Sequence, residues 1–166
     1  MLSVCPGCGL VLPSPDDAMD ERYNASRACR ELSGEVAGYT VSLGDKDFIH
    51  QLVVDTYCAQ HVGPNVKAIG VAFALIGLLL TYERGYTGRQ VQKAHMNLAN
   101  KTKVWPRFEP PTAKALLTVQ DVEQSPPGGA RNAMLVRWGK SVWDMWQPEH
   151  DAVRALVDRT LFVRGS

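Results

Sequence analysis

The sequence predicts an all-α fold, a helical bundle of about five to six helices led by a tight cysteine-bearing turn. Three observations point there. From Arg27 onward, apolar residues recur at spacings of three and four in one stretch after another. Capping residues, Gly and Pro punctuate those stretches where helices start and stop. The chain has 166 residues, 45% apolar and 21% charged, which suits one globular core and excludes disordered, fibrous and low-complexity classes. The expected organisation is a single helical domain over 1–166, with 1–25 as a turn and loop and 26–166 as the helical core.

The elements follow in order. Residues 10–24 carry Pro13, Pro15 and the acidic run Asp16, Asp17, Asp20, Glu21, and read as a loop leading to a helix start. Asn24 or Ser26 caps a first helix from Arg27 to about Gly38, with Ala28, Cys29, Leu32 and Val36 on its apolar side. Gly44 and Asp45 break the chain, and a second helix from Asp47 to His61 stops at Gly63-Pro64. Asn65 is the expected cap of a third, Val66–Glu83, apolar nearly all round, with Gly70, Ala74 and Gly77 letting neighbours approach; this is the expected central helix. Thr87 caps a fourth, from about Gly88 to Asn100. Residues 101–118, with Trp105, Pro106, Phe108, Pro110 and Pro111, read as a long irregular crossing. Thr118-Val-Gln-Asp121 is a capping box for a short helix, 130–146 is helical, and Pro148 opens a last helix with Val153, Leu156, Val157 and Leu161 on one side.

The longest apolar stretch, Ala68 to Leu80, is 13 residues, short of the roughly 18 to 20 that cross a bilayer, so no membrane role is expected. Four cysteines, two of them isolated, with no signal peptide in view, suggest a cytoplasmic chain and not a disulfide scaffold. The net charge of +1 hides an asymmetry: residues 1–83 sum to −5 and residues 84–166 to +6. Such polarity suits two halves of one domain that attract each other, or nucleic acid.

The chemistry concentrates at Cys5-Pro6-Gly7-Cys8-Gly9. Two cysteines separated by two residues, in a Gly- and Pro-bearing turn, form a knuckle whose sulfurs point to one side, half of a zinc site. A redox pair would need a strand feeding a helix in an α/β pattern, and none surrounds it. Two further ligands must come from Cys29, His50, Cys58, His61, His95 or His150. If the first two helices form an antiparallel hairpin turning near 42–44, Cys29 in the first turn of one lies beside Cys58 and His61 at the end of the other. His50 lies eleven residues before His61, about 16 Å along a helix, so the two exclude each other. The preferred set is Cys5, Cys8, Cys29 and His61, a closed Cys3His site, with Cys58 or His50 as substitutes for His61.

Cys5-Pro-Gly-Cys-Gly-Leu, Cys29, the run His50-Gln-Leu-Val-Val-Asp55-Thr-Tyr57-Cys-Ala-Gln60-His61, Glu83-Arg-Gly, Glu109-Pro-Pro, Leu117-Thr-Val-Gln-Asp-Val and Trp138-Gly-Lys-Ser-Val-Trp143 together resemble an uncharacterised bacterial family known only as a domain of unknown function. The resemblance spans nearly the whole chain. It implies that Cys5, Cys8, Cys29, His50, Asp55, Tyr57, Gln60 and His61 stand at recurrent positions of that family and that Cys58 does not. It implies no activity.

Three functions fit these residues. The first is a binding or interaction module whose N-terminal loop is fastened by structural zinc, with the apolar third helix and Trp138, Trp143 and Trp146 available for a homodimer face. The second is a metal-dependent, hydrolase-like enzyme using His50 with Asp55 or Tyr57, in which His50, His95 and His150 imitate the three-histidine sets of some helical bundles. The third is nucleic-acid binding through 84–107, where Arg84, Arg89, Lys93, Lys101, Lys103 and Arg107 occur without an acidic residue beside Tyr86, Trp105 and Phe108. The first is the expected one, because a four-ligand thiolate site leaves no open position at the metal.

Overall fold

In a computed structural model, residues 1–101 and 104–162 are described, and among them the architecture is the expected all-α bundle with one small addition. Seven α-helices run in order: α1 (Arg27–Ser42), α2 (His50–Gln60), α3 (Ala68–Arg84), α4 (Gly88–Lys101), α5 (Val119–Gln124), α6 (Gly129–Met145) and α7 (His150–Thr160). The addition is an antiparallel pair of three-residue strands, β1 (Leu2–Val4) and β2 (Val11–Pro13), in register Leu2 to Pro13, Ser3 to Leu12 and Val4 to Val11. This corrects the reading of the N-terminus as turn and loop alone. The cysteine turn is the loop of a β-hairpin.

Helix ends show which local signals prevailed. The Ser26 side chain accepts from Cys29 N–H at 3.1 Å and caps α1 as expected, fixing the turn that carries Cys29. α1 then runs past Gly38 to Ser42, because Thr40 is buried against the next helix and that packing outweighs a glycine penalty of about 1 kcal/mol. α2 starts at His50 and not Asp47, since Phe48 takes a positive φ of 52° that interrupts the helix. Asn65 caps nothing: its amide donates to the Glu21 carbonyl at 2.8 Å, and α3 starts later with no side-chain cap. Thr87 and Gln90 exchange hydrogen bonds at the start of α4, and Thr118 with Asp121 forms the capping box of α5. Pro148 lies in a short 3-10 turn, Gln147–Glu149, that runs into α7.

α2 and α3 share the centre. α3 packs against α2, α4, α6 and α7, and α2 packs against α1, α3, α4 and α6. Their approach is close at Gly77, where a Cβ would stand 2.0 Å from Asp55 Oδ2. Trp138, Trp143 and Trp146 are all buried, two of them anchored to α2 by indole N–H donors: Trp138 to Gln60 Oε1 and Trp146 to the Ala59 carbonyl, both at 2.9 Å. The three tryptophans are core, which leaves none of them for a homodimer face. The acidic and basic halves meet in one ion pair among the described residues, Arg154 with Glu83 at 2.6 Å. Elsewhere the basic half holds the acidic half through carbonyls: Arg107 donates to those of Gly63 and Val66, and Lys114 to those of Pro6 and Gly7.

Candidate metal centre

Each element contributes one part of the site. The β-hairpin supplies Cys5 and Cys8, whose turn is closed by Cys5 N–H to the Leu10 carbonyl and Gly9 N–H to the Cys5 carbonyl, both at 2.8 Å, with Gly9 at a φ of 80° that glycine adopts without strain. The capped first turn of α1 supplies Cys29. The residue ending α2 supplies His61, held from the other side by Asn24 N–H donating to its carbonyl at 3.0 Å. The knuckle sits so close that a Cβ on Gly7 would meet the Asn24 carbonyl oxygen at 2.3 Å and His61 Cδ2 at 2.6 Å.

Cys5, Cys8, Cys29 and His61 are brought together: one ligand atom from each lies within 4.8 Å of all the others. Cys8 Sγ stands 3.9 Å from Cys29 Sγ, and Cys29 Sγ stands 3.6 Å from His61 Nε2. Cys5, Cys29 and His61 have no exposed surface and Cys8 retains 8%. All four cysteines are unpaired thiols, and 3.9 Å is far beyond a disulfide bond. This is a possible Cys3His metal site.

The surroundings prepare the ligands. His61 Nδ1–H donates to the Tyr57 carbonyl at 2.9 Å, so the Nε2 lone pair faces the sulfurs, as metal-binding histidines require. The Tyr57 ring stacks on His61 at 4.0 Å between centroids, and its hydroxyl donates to Cys29 Sγ at 3.5 Å. Burial, reinforced by Cys29, pushes the Tyr57 hydroxyl well above its usual range, so it stays a donor. The three thiols perturb one another. Contacts with Cys29 and Cys8 pull Cys5 far below the ordinary thiol range. The bond with Cys29 favours the Cys8 thiolate, but contact with Cys5 and burial outweigh it and push Cys8 up to about 12. Contacts with Cys5 and Cys8, with burial, raise Cys29 strongly. Such a cluster accommodates one thiolate readily and resists a second and third unless a cation lies among them.

The other candidates lie elsewhere. Cys58 faces α3, its sulfur 3.7 Å from the Gly70 carbonyl. His50 meets Thr40 Oγ1 through Nδ1 at 2.9 Å, with no carboxylate partner among the described residues. His95 donates through Nε2 to the Phe73 carbonyl and stacks on that ring; burial lowers its pKa to about 4. His150 donates to the Trp143 carbonyl and stacks on Trp143. No three-histidine set forms among the described residues, and no other group of His, Cys, Asp or Glu gathers in a metal-holding arrangement there. Asp55 is buried with Gln51 as its donor at 3.1 Å, and burial, only partly offset by that bond, holds its carboxyl well above the usual range. Gln60 bridges α6 and the crossing segment, accepting from Trp138 and donating to the Leu117 carbonyl at 2.9 Å.

In the basic stretch, Arg84 reaches Asp158 at 3.5 Å and Arg89 lies over the Phe48 ring at 4.6 Å. Arg107 holds the Gly63 and Val66 carbonyls, Phe108 is buried, and Trp105 packs edge-on against Phe73. Lys103 lies outside the described residues. No helix among the described residues is long and apolar enough to cross a membrane.

Sequence reasoning missed Lys114, whose ammonium donates to the Pro6 and Gly7 carbonyls at 2.7 and 2.8 Å and pins the knuckle from outside. Nothing in a 107-residue separation signals that contact. The support from Tyr57 was legible, since Tyr57 and His61 stand at i and i+4 on one helix. No curated protein and no solved structure matches the chain. A family model matches residues 3–147, and on that match the chain belongs to the family of unknown function DUF5946.

Proposed function

We propose that Cys5, Cys8, Cys29 and His61 bind one zinc ion, and that the ion fastens the N-terminal hairpin to α1 and α2 of a helical module that works by binding a partner, with no chemistry at the metal. The observation that carries this reading is the spacing of the donors. A tetrahedral ion with Zn–S of about 2.3 Å and Zn–N of about 2.0 to 2.1 Å has S···S edges of about 3.8 Å and S···N edges of about 3.5 to 3.6 Å. The separations of 3.9 and 3.6 Å match those edges. The donor set, three soft thiolates and an imidazole, suits zinc better than magnesium or calcium, which take oxygen ligands.

Burial supports the structural role. Four protein ligands complete a tetrahedron, and with three of them fully buried and Cys8 at 8% exposure a substrate has little approach to the ion. Zinc there supplies charge that lets three thiolates coexist, and the residues around it do the rest: Tyr57 orients His61 and donates to Cys29, and Lys114 holds the knuckle carbonyls. The metal thus ties 1–25 to the helical core of one domain over 1–166. A site that needs free thiolates suits a reducing compartment such as the cytoplasm.

Metal analysis combined with thiol titration tests this. One zinc per chain is expected, with three thiols protected until chelation and Cys58 titrating only on unfolding. A Cys5–Cys8 disulfide in reduced-purified protein, or metal loss without any change in thiol protection, overturns the reading.

A further inference from the structure

A groove of about 690 Å³ runs between the crossing segment 111–117 and the C-terminal half of α6, within the range of small-molecule sites. Residues 137, 140, 141, 144 and 145 of α6 face it at helical spacing, and Gln147 and Pro148 close its end. The segment opposite is held in place, since Leu117 accepts from Gln60 and Lys114 donates to the knuckle. The groove is therefore bounded by two anchored walls.

Its chemistry is mixed in a specific way. Leu117, Ala115 and Met145 are half-buried and give it an apolar floor. Three cations line it, Lys114, Arg137 and Lys140, against one carboxylate, Asp144, which Lys140 already pairs at 2.5 Å. The partners of the Lys114 ammonium are neutral carbonyls, and no carboxylate pairs with it among the described residues. Arg137 is exposed and has neither a hydrogen bond nor an ion pair among the described residues. Two cations without a carboxylate partner beside an apolar floor are complementary to an anion carried on an apolar body.

We propose that this groove binds a small, free anionic molecule with an apolar body, its acid group on Arg137 and Lys114 and its apolar part over Leu117 and Met145. The site is separate from the metal centre and meets it only through Lys114. Arg137 is the specificity-determining contact, since its fork can take a carboxylate through two bonds and no internal partner competes for it.

The test uses decanoate, decanol and acetate as probes of the zinc-loaded full chain, followed by amide chemical shifts. Decanoate is expected to bind one to one, with shifts clustered at residues 113–117 and 137–145, and at least about tenfold more tightly than decanol or acetate. Arg137→Gln, at an exposed and unpartnered position that leaves the fold intact, should weaken decanoate at least about tenfold and leave decanol unchanged. Three results overturn the proposal: equal binding of decanoate and decanol, shifts that cluster away from the groove, or retention on phosphatidylglycerol vesicles with no binding of monomeric decanoate.

Discussion

The N-terminal hairpin and the α2–α3 core are held by different means. The core closes on itself: Leu75, Ile76, Leu78, Leu79 and Leu80 have no exposed surface, and Gln51 donates to the buried Asp55 from within α2. The hairpin cannot do this. Leu2, Val4 and Val11 point outward, with Leu2 67% exposed, and two three-residue strands are far too short to be stable alone. What attaches it, beside the packing of Leu10 and Leu12 on the core, is a set of directional contacts, the Lys114 hydrogen bonds and the convergence of Cys5 and Cys8 on Cys29 and His61. Apolar burial tolerates imperfection because it is spread over many atoms, whereas a convergent site fails when one donor is lost.

The sharpest way to break this contrast is Cys29→Ser. Losing one thiolate should abolish tight zinc binding, release residues 1–25 from hydrogen-exchange protection and destabilise the chain by about 3 kcal/mol or more, while the helical circular dichroism of the core persists. If the whole bundle melts together with the hairpin, the two regions are not separable and the contrast is wrong.

A smaller effect is expected from Gly7→Ala, which changes no ligand. The added methyl collides with the Asn24 carbonyl and the His61 ring, so the knuckle must shift and zinc affinity should fall by about 10- to 100-fold. Competition with a chromophoric chelator measures it, and unchanged affinity would mean the hairpin is more pliant than its packing suggests.

The core has its own smaller test, in Asp55→Asn. Asp55 has a folded pKa raised by burial, so the folded chain holds a proton that the unfolded chain releases. Its contribution is fully present below the unfolded value of about 3.9 and is lost as pH rises toward the raised folded value. Asn keeps the Gln51 bond without the ionisation, so the variant should match or exceed the parent at pH 7 and show a flatter stability profile above pH 4. Denaturant titration across pH checks this, with zinc binding unaffected. A loss of stability at pH 7 would show that Asp55 is ionised and paired in the fold.

Much of this was legible because it depends on residues near one another in sequence. Helical spacing, with the capping box of Thr118 and Asp121 at α5, marked segments for the seven helices where about five to six were expected, and the assumed hairpin of α1 and α2 placed Cys29 beside Cys58 and His61, of which His61 meets it and Cys58 faces α3. The strands were not legible, since three residues carry too little alternation to separate Leu-Ser-Val from loop. Asn65 looked like a cap and instead joins the Glu21 carbonyl, a tertiary contact that no local propensity encodes. The same holds for Lys114, which reads as an ordinary surface lysine until the crossing segment is folded back over the knuckle. The groove at Arg137 was equally invisible, because its two walls come from distant parts of the chain.

Zinc K-edge X-ray absorption on the reduced, purified chain tests the central claim most directly. One zinc is expected, bound by three sulfurs at about 2.3 Å and one nitrogen at about 2.0 to 2.1 Å, and Cys29→Ser should retain no tightly bound zinc. A first shell dominated by nitrogen and oxygen, or one that Cys29→Ser leaves unchanged, would contradict it.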